Sequence, residues 1–109
     1  MNSWRCIVCG KKIIEDHKPD ACLLCGVVSD YIVADSEYER PSDTLSAAAV
    51  ADFDRALALE IEATRLYEEA SERAKGEEDE LTSLFFEALA KNEHGHQVAI
   101  KFQKKMRGA

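Results

Sequence analysis

Apolar residues in the second half of the chain recur every three or four positions, in two long stretches on either side of Gly76. In the first stretch the recurring positions are Phe53, Ala56, Glu60, Ala63, Tyr67, Ala70 and Ala74. In the second they are Phe86, Leu89, Glu93, His96 and Ile100. This spacing places each set on one face of an α-helix. We therefore predict two helices, from about Leu45 to Lys75 and from the acidic residues after Gly76 to about Met106, packed as an antiparallel hairpin.

Three polar residues lie within these apolar faces. Glu60 precedes Gly76 by 16 residues, Glu93 follows it by 17, and His96 is one helical turn further on. At a rise of roughly 1.5 Å per residue, both glutamates lie about 25 Å from the turn, so they face each other across an antiparallel hairpin. An ionised carboxylate on a face that points into a core costs several kcal/mol unless it is paired or bound to a metal.

Two simpler interpretations compete with a metal site at this position. A single glutamate on an apolar face often buries only its stem and keeps its carboxylate in water, and a single interior histidine is usually a hydrogen-bonded core residue. Three matched residues, in the form Glu and Glu-x-x-His, favour a metal site instead. Glu62 and His94 point away from this face, and we expect both to be solvated.

The first 40 residues carry two Cys-x-x-Cys-Gly motifs, Cys6–Gly10 and Cys22–Gly26, whose cysteine pairs are separated by 12 residues. The thiolates that can hold one metal ion are those of Cys6, Cys9, Cys22 and Cys25. The glycine of each motif can adopt the conformation that turns amide N–H groups toward sulfur. Two disulfides are the alternative. The stretch Met1–Arg5 contains no apolar segment of an export signal, so we expect a reducing, cytoplasmic compartment and a four-thiolate site, for which zinc and iron are both suitable.

A small apolar cluster is expected around the four cysteines. Its members are Trp4, Ile13, Ile14, Val27, Val28, Tyr31 and Ile32. A module this short cannot bury enough surface to fold alone, so the metal contributes to its stability. A polar linker follows, in which Pro41 blocks a helix and Ser42 or Thr44 can cap the next one. We therefore predict two domains, a metal-binding module over residues 1–40 and the helical hairpin over residues 45–107.

The net charge of −7 argues against a nucleic acid or an anionic membrane as a partner. The clustered basic residues are Lys101, Lys104, Lys105 and Arg107. They lie in the last turns of the second predicted helix, where we expect them to complement the helix dipole. The longest apolar run, Ala47–Ala51, is far too short to span a bilayer.

Two segments of the hairpin resemble the ligand helices of the rubrerythrins, ferritin-like proteins that join a di-iron four-helix bundle to a rubredoxin domain. The matching patterns are Glu60-x-x-Ala63-x-x-x-Tyr67 and Phe86-x-x-Leu89-x-x-x-Glu93-x-x-His96. The cysteine motifs, with Trp4 before the first and Tyr31 after the second, are similar to a rubredoxin module. The resemblance implies a mainly α fold, in which a rubredoxin-like four-cysteine module is followed by half of a ferritin-like four-helix bundle.

The chain also departs from most rubrerythrins. Those proteins carry four bundle helices in one chain and place the rubredoxin domain last, whereas here two predicted helices follow the module. Ala63 occupies the position of an additional glutamate that lets an iron change ligands on reduction. Leu23 replaces the usual proline of the second cysteine motif, and Lys11 replaces the usual aromatic residue after the first. These differences bear on redox potential and on the efficiency of peroxidase chemistry.

The resemblance implies an oxidoreductase. Glu60, Glu93 and His96 then act as catalytic ligands of a di-iron centre that reduces hydrogen peroxide or dioxygen, with electrons relayed by the four-cysteine iron from an unknown donor. A second hypothesis is a ferroxidase that oxidises Fe(II) for storage, which Ala63 and a symmetric ligand set favour. A third is a structural adaptor, a zinc ribbon on a coiled-coil hairpin, which leaves the three ligands buried without partners.

One hairpin provides too few ligands for two irons. Two hairpins related by a two-fold axis provide four carboxylates and two imidazoles, and they also bury apolar residues that two helices alone cannot cover. Those residues are Phe53, Tyr67, Phe85, Phe86, Leu89 and Phe102. We therefore predict a di-iron centre shared between two chains, in a homodimer or a larger even assembly that forms a four-helix bundle.

Overall fold

The structure, a computed structural model, describes residues 1–108. Its strands and α-helices are β1 (Asn2–Cys6), β2 (Lys12–Glu15), β3 (Ile32–Ala34), α1 (Ala47–Gly76) and α2 (Glu80–Arg107). The two long helices pack against each other, and the small sheet region carries the four cysteines close together. This architecture confirms the predicted mainly helical fold with a four-cysteine module at its start.

The module is built on a three-stranded antiparallel sheet in the order β2-β1-β3. In the central strand, Trp4 lies opposite Ile13 of β2, and Arg5 lies opposite Val33 of β3. Turns of 3-10 helix precede and follow β3. Asp35 in the second turn accepts a hydrogen bond of 3.0 Å from Arg5, so the end of the module is tied back to its central strand.

The apolar cluster around the cysteines is smaller than predicted. Ile32 is fully buried with the four cysteines, and Trp4, Ile13 and Val27 pack against them as expected. The prediction is wrong for the other three members, because Ile14 is 56% exposed, Val28 is 55% exposed and Tyr31 is 47% exposed. Ile14 follows Ile13 on a strand, where successive side chains point to opposite faces, and it therefore faces solvent.

Helix α1 begins at Ala47, two residues later than predicted, because Ser46 is its N-cap. The Ser46 side chain accepts a hydrogen bond of 3.1 Å from the Ala49 amide. A serine at this position satisfies one of the amide groups that the first turn of a helix leaves unpaired. The predicted caps, Ser42 and Thr44, are wrong because both residues lie in the linker before this point.

The two helices are also tied together at the end of the hairpin remote from the turn. The Leu45 amide donates a hydrogen bond of 2.7 Å to the Arg107 carbonyl, and the Arg107 side chain donates one of the same length to Asp43. Lys104 forms a further ion pair with Asp54 of α1. Lys104 therefore bridges the two helices, and Arg107 ties the linker before α1 to the last turn of α2. Within residues 1–108, neither helix has a stretch that is long and apolar enough to cross a lipid bilayer.

Near the turn, small residues let the helices approach closely. Ser71 and Ser83 are buried, and the Ser71 hydroxyl donates a hydrogen bond of 2.9 Å to the Ser83 carbonyl. Asp79 caps α2 by accepting a hydrogen bond of 3.1 Å from the Thr82 amide. The turn therefore follows Gly76 as predicted, and it brings the two apolar faces together along the whole hairpin.

The module packs on the second half of α2. Ala99 is buried in one cluster with the four cysteines, and the Phe102 ring lies against Gly10. Gln103 donates hydrogen bonds of 3.2 and 3.0 Å to the carbonyls of Ile7 and Val8. Phe102 was expected on the apolar face of the four-helix bundle, and that assignment is wrong because its ring covers the first cysteine motif instead.

Candidate metal centres

The two cysteine motifs have the same backbone structure. The Gly10 amide donates to the Cys6 carbonyl at 2.9 Å, and the Gly26 amide donates to the Cys22 carbonyl at 2.8 Å. Both glycines have positive φ angles, +81° and +85°, a conformation that other residues adopt only with strain. The repeat explains why each pair of cysteines is followed by glycine, and it presents two equivalent pairs of thiols to one point.

The four sulfur atoms are spaced as a metal requires. The Cys6 and Cys25 Sγ atoms are 3.7 Å apart, the Cys9 and Cys22 Sγ atoms are also 3.7 Å apart, and all four lie within 4.8 Å of one another. A tetrahedron with metal–sulfur bonds of about 2.3 Å has edges of about 3.8 Å. All four cysteines are free and buried, so the geometry favours one tetrahedral ion over two disulfides.

The electrostatics of the module also favour a bound cation. Burial raises the pKa of the Cys25 thiol to about 11, and burial likewise raises the pKa of Cys9, each opposed in part by a backbone amide N–H. Burial also disfavours the Cys22 thiolate, but hydrogen bonds from the amides of Cys25 and Leu24 outweigh it and lower the pKa of Cys22. Buried thiolates of this kind need a positive charge among them, which a metal ion supplies.

The two motif glycines offer a matched test of how tightly the module docks on α2. Gly26→Ala meets open space, so it should cost only the strain of its positive φ, about 1–2 kcal/mol. Gly10→Ala has the same strain, and its new methyl group would also overlap the Phe102 ring. We expect a clearly larger fall in melting temperature for Gly10→Ala, measured on metal-loaded protein. Equal losses would show that Phe102 does not press on the module.

The second candidate centre lies between the helices, where Glu60 of α1 meets Glu93 and His96 of α2. The His96 Nδ1 atom is 3.5 Å from Glu60 Oε2 and 3.4 Å from Glu93 Oε2. One ligand atom from each residue lies within 4.8 Å of the others. The structure thus brings together all three residues that the helical spacing places on facing stripes, at the same height of the hairpin.

One oxygen of this cluster has no partner. Glu60 Oε2 is buried from solvent and accepts no hydrogen bond within the described part of the chain. A buried carboxylate oxygen without a donor is costly, and a metal ion removes that cost. Carboxylate oxygen with imidazole nitrogen is a donor set that suits iron, so the residues fit a di-iron centre in chemistry although one chain provides only three of them.

Two polar residues outside the predicted site connect the backbone carbonyl of Glu60 to α2. The Thr64 hydroxyl donates a hydrogen bond of 2.8 Å to the Glu60 carbonyl, and the Gln97 amide donates one of 2.7 Å to the Thr64 hydroxyl. Gln97 thus links α2 to α1 one residue after His96. This pair was not predicted from the sequence. The available signal was a threonine one turn after Glu60 and a glutamine one turn after Glu93, on the facing sides of the two helices.

Glu62 and His94 lie outside the cluster. Glu62 forms an ion pair with Arg65 on the surface of α1, and that hydrogen-bonded guanidinium lowers the pKa of the Glu62 carboxyl. His94 is exposed on α2. Both were expected to be solvated, and the structure places them so.

Aromatic residues lie about two helical turns from the cluster, on the side of the turn. The rings of Tyr67 and Phe86 stack with centroids 6.0 Å apart, and Phe85 meets Phe86 edge to face at 5.2 Å. Beside them a strip of large apolar side chains is uncovered in the single chain: Leu59 is 66%, Leu66 52% and Phe85 57% exposed. Together these three residues form what we call the open face of the hairpin, and it borders the carboxylate–histidine cluster.

Comparison with known proteins bears on the hairpin. The sequence model of one family, described as Rubrerythrin, matches residues 53–109. The match covers more than half of the 109-residue chain and includes Glu60, Glu93 and His96, but it does not extend over the cysteine motifs. No curated protein and no solved structure matches the chain.

Proposed function

This chain belongs to the rubrerythrin family, and we propose that it is a di-iron oxidoreductase that reduces hydrogen peroxide or dioxygen. The observation that carries the proposal is the presence, in one short chain, of two different clusters of side chains that can bind metal. One is a four-thiol cluster of the kind that transfers electrons, and the other is a carboxylate–histidine cluster in which Glu60 Oε2 lacks a partner. An electron-transfer site beside a metal site of this kind serves a reaction that consumes electrons.

The di-iron centre is proposed to form between two chains. Glu60, Glu93 and His96 are too few to hold two irons, whereas two copies provide four carboxylates and two imidazoles. The open face of the hairpin supports the same arrangement, because a second hairpin placed there covers Leu59, Leu66 and Phe85 and brings its own three ligands to the cluster.

The electron count of such a dimer suits peroxide. Reduction of one hydrogen peroxide to two waters takes two electrons and two protons. An iron held by four cysteines gives one electron when Fe(II) becomes Fe(III), and a dimer contains two such modules. When bound, the irons on the helices supply the site at which the O–O bond is broken. The chain's own residues Glu60, Glu93 and His96 would hold those irons.

Ferroxidase activity is the second candidate. The observation that favours it is Ala63, which stands where the family's additional glutamate would let an iron change ligands. In this alternative Fe(II) delivered as substrate is oxidised to Fe(III) at the helical site, with dioxygen or hydrogen peroxide as the electron acceptor, and the four-cysteine site has no necessary part in each turnover.

We predict that protein purified after expression with ample iron is red and that dithionite bleaches it. The colour is expected because Fe(III) bound by four thiolates absorbs visible light, whereas zinc bound in the same way does not and cannot change oxidation state. The measurement is a visible spectrum with metal analysis. A colourless protein with one zinc per chain would favour the structural adaptor and remove the electron relay from the proposal.

Cys6→Ser separates the two redox reactions. The substitution removes one buried thiolate of the relay and leaves every residue of the hairpin cluster unchanged. If the protein is a peroxidase, peroxide turnover with an external reductant should fall at least about tenfold while helical iron is retained. If it is a ferroxidase, oxidation of added Fe(II) should continue at the wild-type rate. Circular dichroism would check that the hairpin remains folded.

A further inference from the structure

The backbones of the module and α2 meet at Gly95. This glycine is buried, and a Cβ atom built on it would overlap the carbonyl oxygen of Leu24. The same Cβ would lie 3.2 Å from the Cα atom of Cys25. Only glycine allows this approach, so the second cysteine motif rests directly on the helix with no side chain between them.

Contacts in the two turns of α2 that follow Gly95 hold the module in this position. Ala99, one turn further along α2, is buried among the cysteines, and the Phe102 ring covers Gly10. The Gln103 side chain donates to the carbonyls of the first cysteine motif. Both motifs are thus bound to the same stretch of α2, and the distance between the sulfur cluster and this helix is set by packing and by directed hydrogen bonds.

His96 follows Gly95 in the chain but faces the other centre. Consecutive residues on a helix point about 100° apart, so one can touch the module while the next points into the hairpin. The His96 imidazole reaches Glu60 and Glu93, as described above. A short connection between the two clusters therefore runs from Cys25 along the chain to the Leu24 carbonyl, across one close contact to Gly95, and then along covalent bonds to the His96 imidazole.

We propose that this contact is the electron path between the two metal centres, and that it lies within one chain. Gly95 is its positioning residue, since it holds the Cys25 backbone against the residue before a metal ligand. The proposal rests on the proposed function, because both centres must hold iron. With iron bound at both sites, each transfer would oxidise Fe(II) held by the four cysteines to Fe(III) and would reduce the iron held by His96 by one electron.

The rate of electron transfer depends on the gaps between atoms along its path, and this is why the contact at Gly95 matters. Electronic coupling falls steeply across empty space and much less along covalent bonds, so a path with a single close contact dominates over paths with wider gaps. Any side chain at position 95 would push the Cys25 backbone away and open the one gap in this path. The geometry also explains why a glycine is tolerated in the middle of α2, where it otherwise costs about 1 kcal/mol relative to alanine.

The test compares Gly95→Ala with Gly76→Ala in iron-loaded protein. Gly76 is the last residue of α1 and has no atom near its Cβ position, so it controls for the addition of a methyl group that displaces nothing. Fully reduced protein is mixed rapidly with hydrogen peroxide, and the appearance of the red four-cysteine Fe(III) is followed over time. We expect the rate to fall at least about tenfold in Gly95→Ala and to stay within about twofold of wild type in Gly76→Ala.

A second measurement does not depend on turnover. Hydrogen–deuterium exchange of the iron-loaded protein should show faster exchange in Gly95→Ala at the amides around Leu24 and Cys25, with the red absorption retained, because the motif is released from α2 but still holds its metal. If Gly95→Ala cannot be purified with both irons, Gln103→Ala is used in the same way. It removes two hydrogen bonds from the docked module without adding bulk, and the red form should then appear more slowly than in wild type.

The outcomes are distinguishable. If the four-cysteine iron is oxidised at the wild-type rate in a Gly95→Ala protein whose cysteine motif is released from α2, the path through Gly95 is overturned. The proposed function is left intact by that result. Wild-type protein that consumes peroxide without ever oxidising its four-cysteine iron would also overturn the path. Wild-type protein that reduces neither hydrogen peroxide nor dioxygen would contradict the proposed function itself.

Discussion

Glu93→Ala is expected to abolish iron binding on the helices and to leave the four-cysteine site intact. Glu93 supplies one of the three ligands in each chain, and its loss removes two of six from a shared centre. Loss of residues that merely orient a ligand weakens metal binding about 10–100-fold, so loss of a ligand should exceed that range. His96→Ala should act in the same way. Iron analysis, together with the red absorption as an internal reference for the module, measures both effects.

Matched controls for this experiment lie on the same helices. Glu62→Ala removes a carboxylate two residues from Glu60 that is paired with Arg65 on the surface, and His94→Ala removes an exposed imidazole one residue from Glu93. Neither should change the helical iron content. If either control lost as much iron as Glu93→Ala, the assignment of the ligands by helical face would be wrong. Without metal, Glu93→Ala should melt no lower than wild type, because a partly buried carboxylate has been removed.

Leu66→Glu is expected to prevent association and, with it, helical iron binding. Leu66 belongs to the open face and is already 52% exposed in the single chain, so the substitution should leave the hairpin folded. In the proposed dimer the same position is covered by a second hairpin, and an added charge there is desolvated without a partner. The sedimentation coefficient should become that of a monomer, and iron content should fall to the single four-cysteine ion.

Ile61→Glu is the control for this substitution. Ile61 is 48% exposed, similar to Leu66, but it projects from the opposite side of Glu60 on the helix and lies outside the open face. It should associate and bind iron like wild type. A Leu66→Glu protein that remained dimeric would place the contact between chains elsewhere. One that became monomeric but kept two helical irons would refute the shared centre.

The hairpin was predictable because apolar residues recur at helical spacing along both of its helices. Glu60 and Glu93 could be matched by counting from Gly76, since the rise per residue is constant in both helices. The ends of the helices were less accessible to this reasoning. Ser46 competes with Ser42 and Thr44 as a cap, and the choice depends on the hydrogen bond that ties Leu45 to the far end of α2.

The sheet of the module and its docking were not predictable in the same way. The three strands have five, four and three residues, too few for an alternating pattern to emerge, and a strand such as β2 carries Ile13 and Ile14 on opposite faces. Phe102 lies two residues after Ile100, away from the face that carries Glu93 and His96, and its ring packs against Gly10 of a distant cysteine motif. The small residues Gly95 and Ala99, one turn apart on α2, were a readable sign that another backbone approaches the helix there.

The cysteine cluster and the helical cluster differ in what one chain can complete. The four cysteines close a tetrahedron by themselves, as their spacing indicates. The helical cluster offers three ligands and leaves Glu60 Oε2 without a partner, so the number of chains becomes part of the chemistry of the site. The proposed function therefore depends above all on a di-iron centre that is shared between two chains.

Sedimentation velocity of the same protein with and without Fe(II), combined with iron analysis of each sedimenting species, tests this claim most directly. Because metal that binds only between chains stabilises the assembled form, added Fe(II) should shift the protein toward a dimer or a larger even assembly. That species should contain two irons per chain. Each chain holds one in its cysteine cluster, and each pair of hairpins shares two more. A protein that stayed monomeric while binding two irons on its helices would contradict the shared centre.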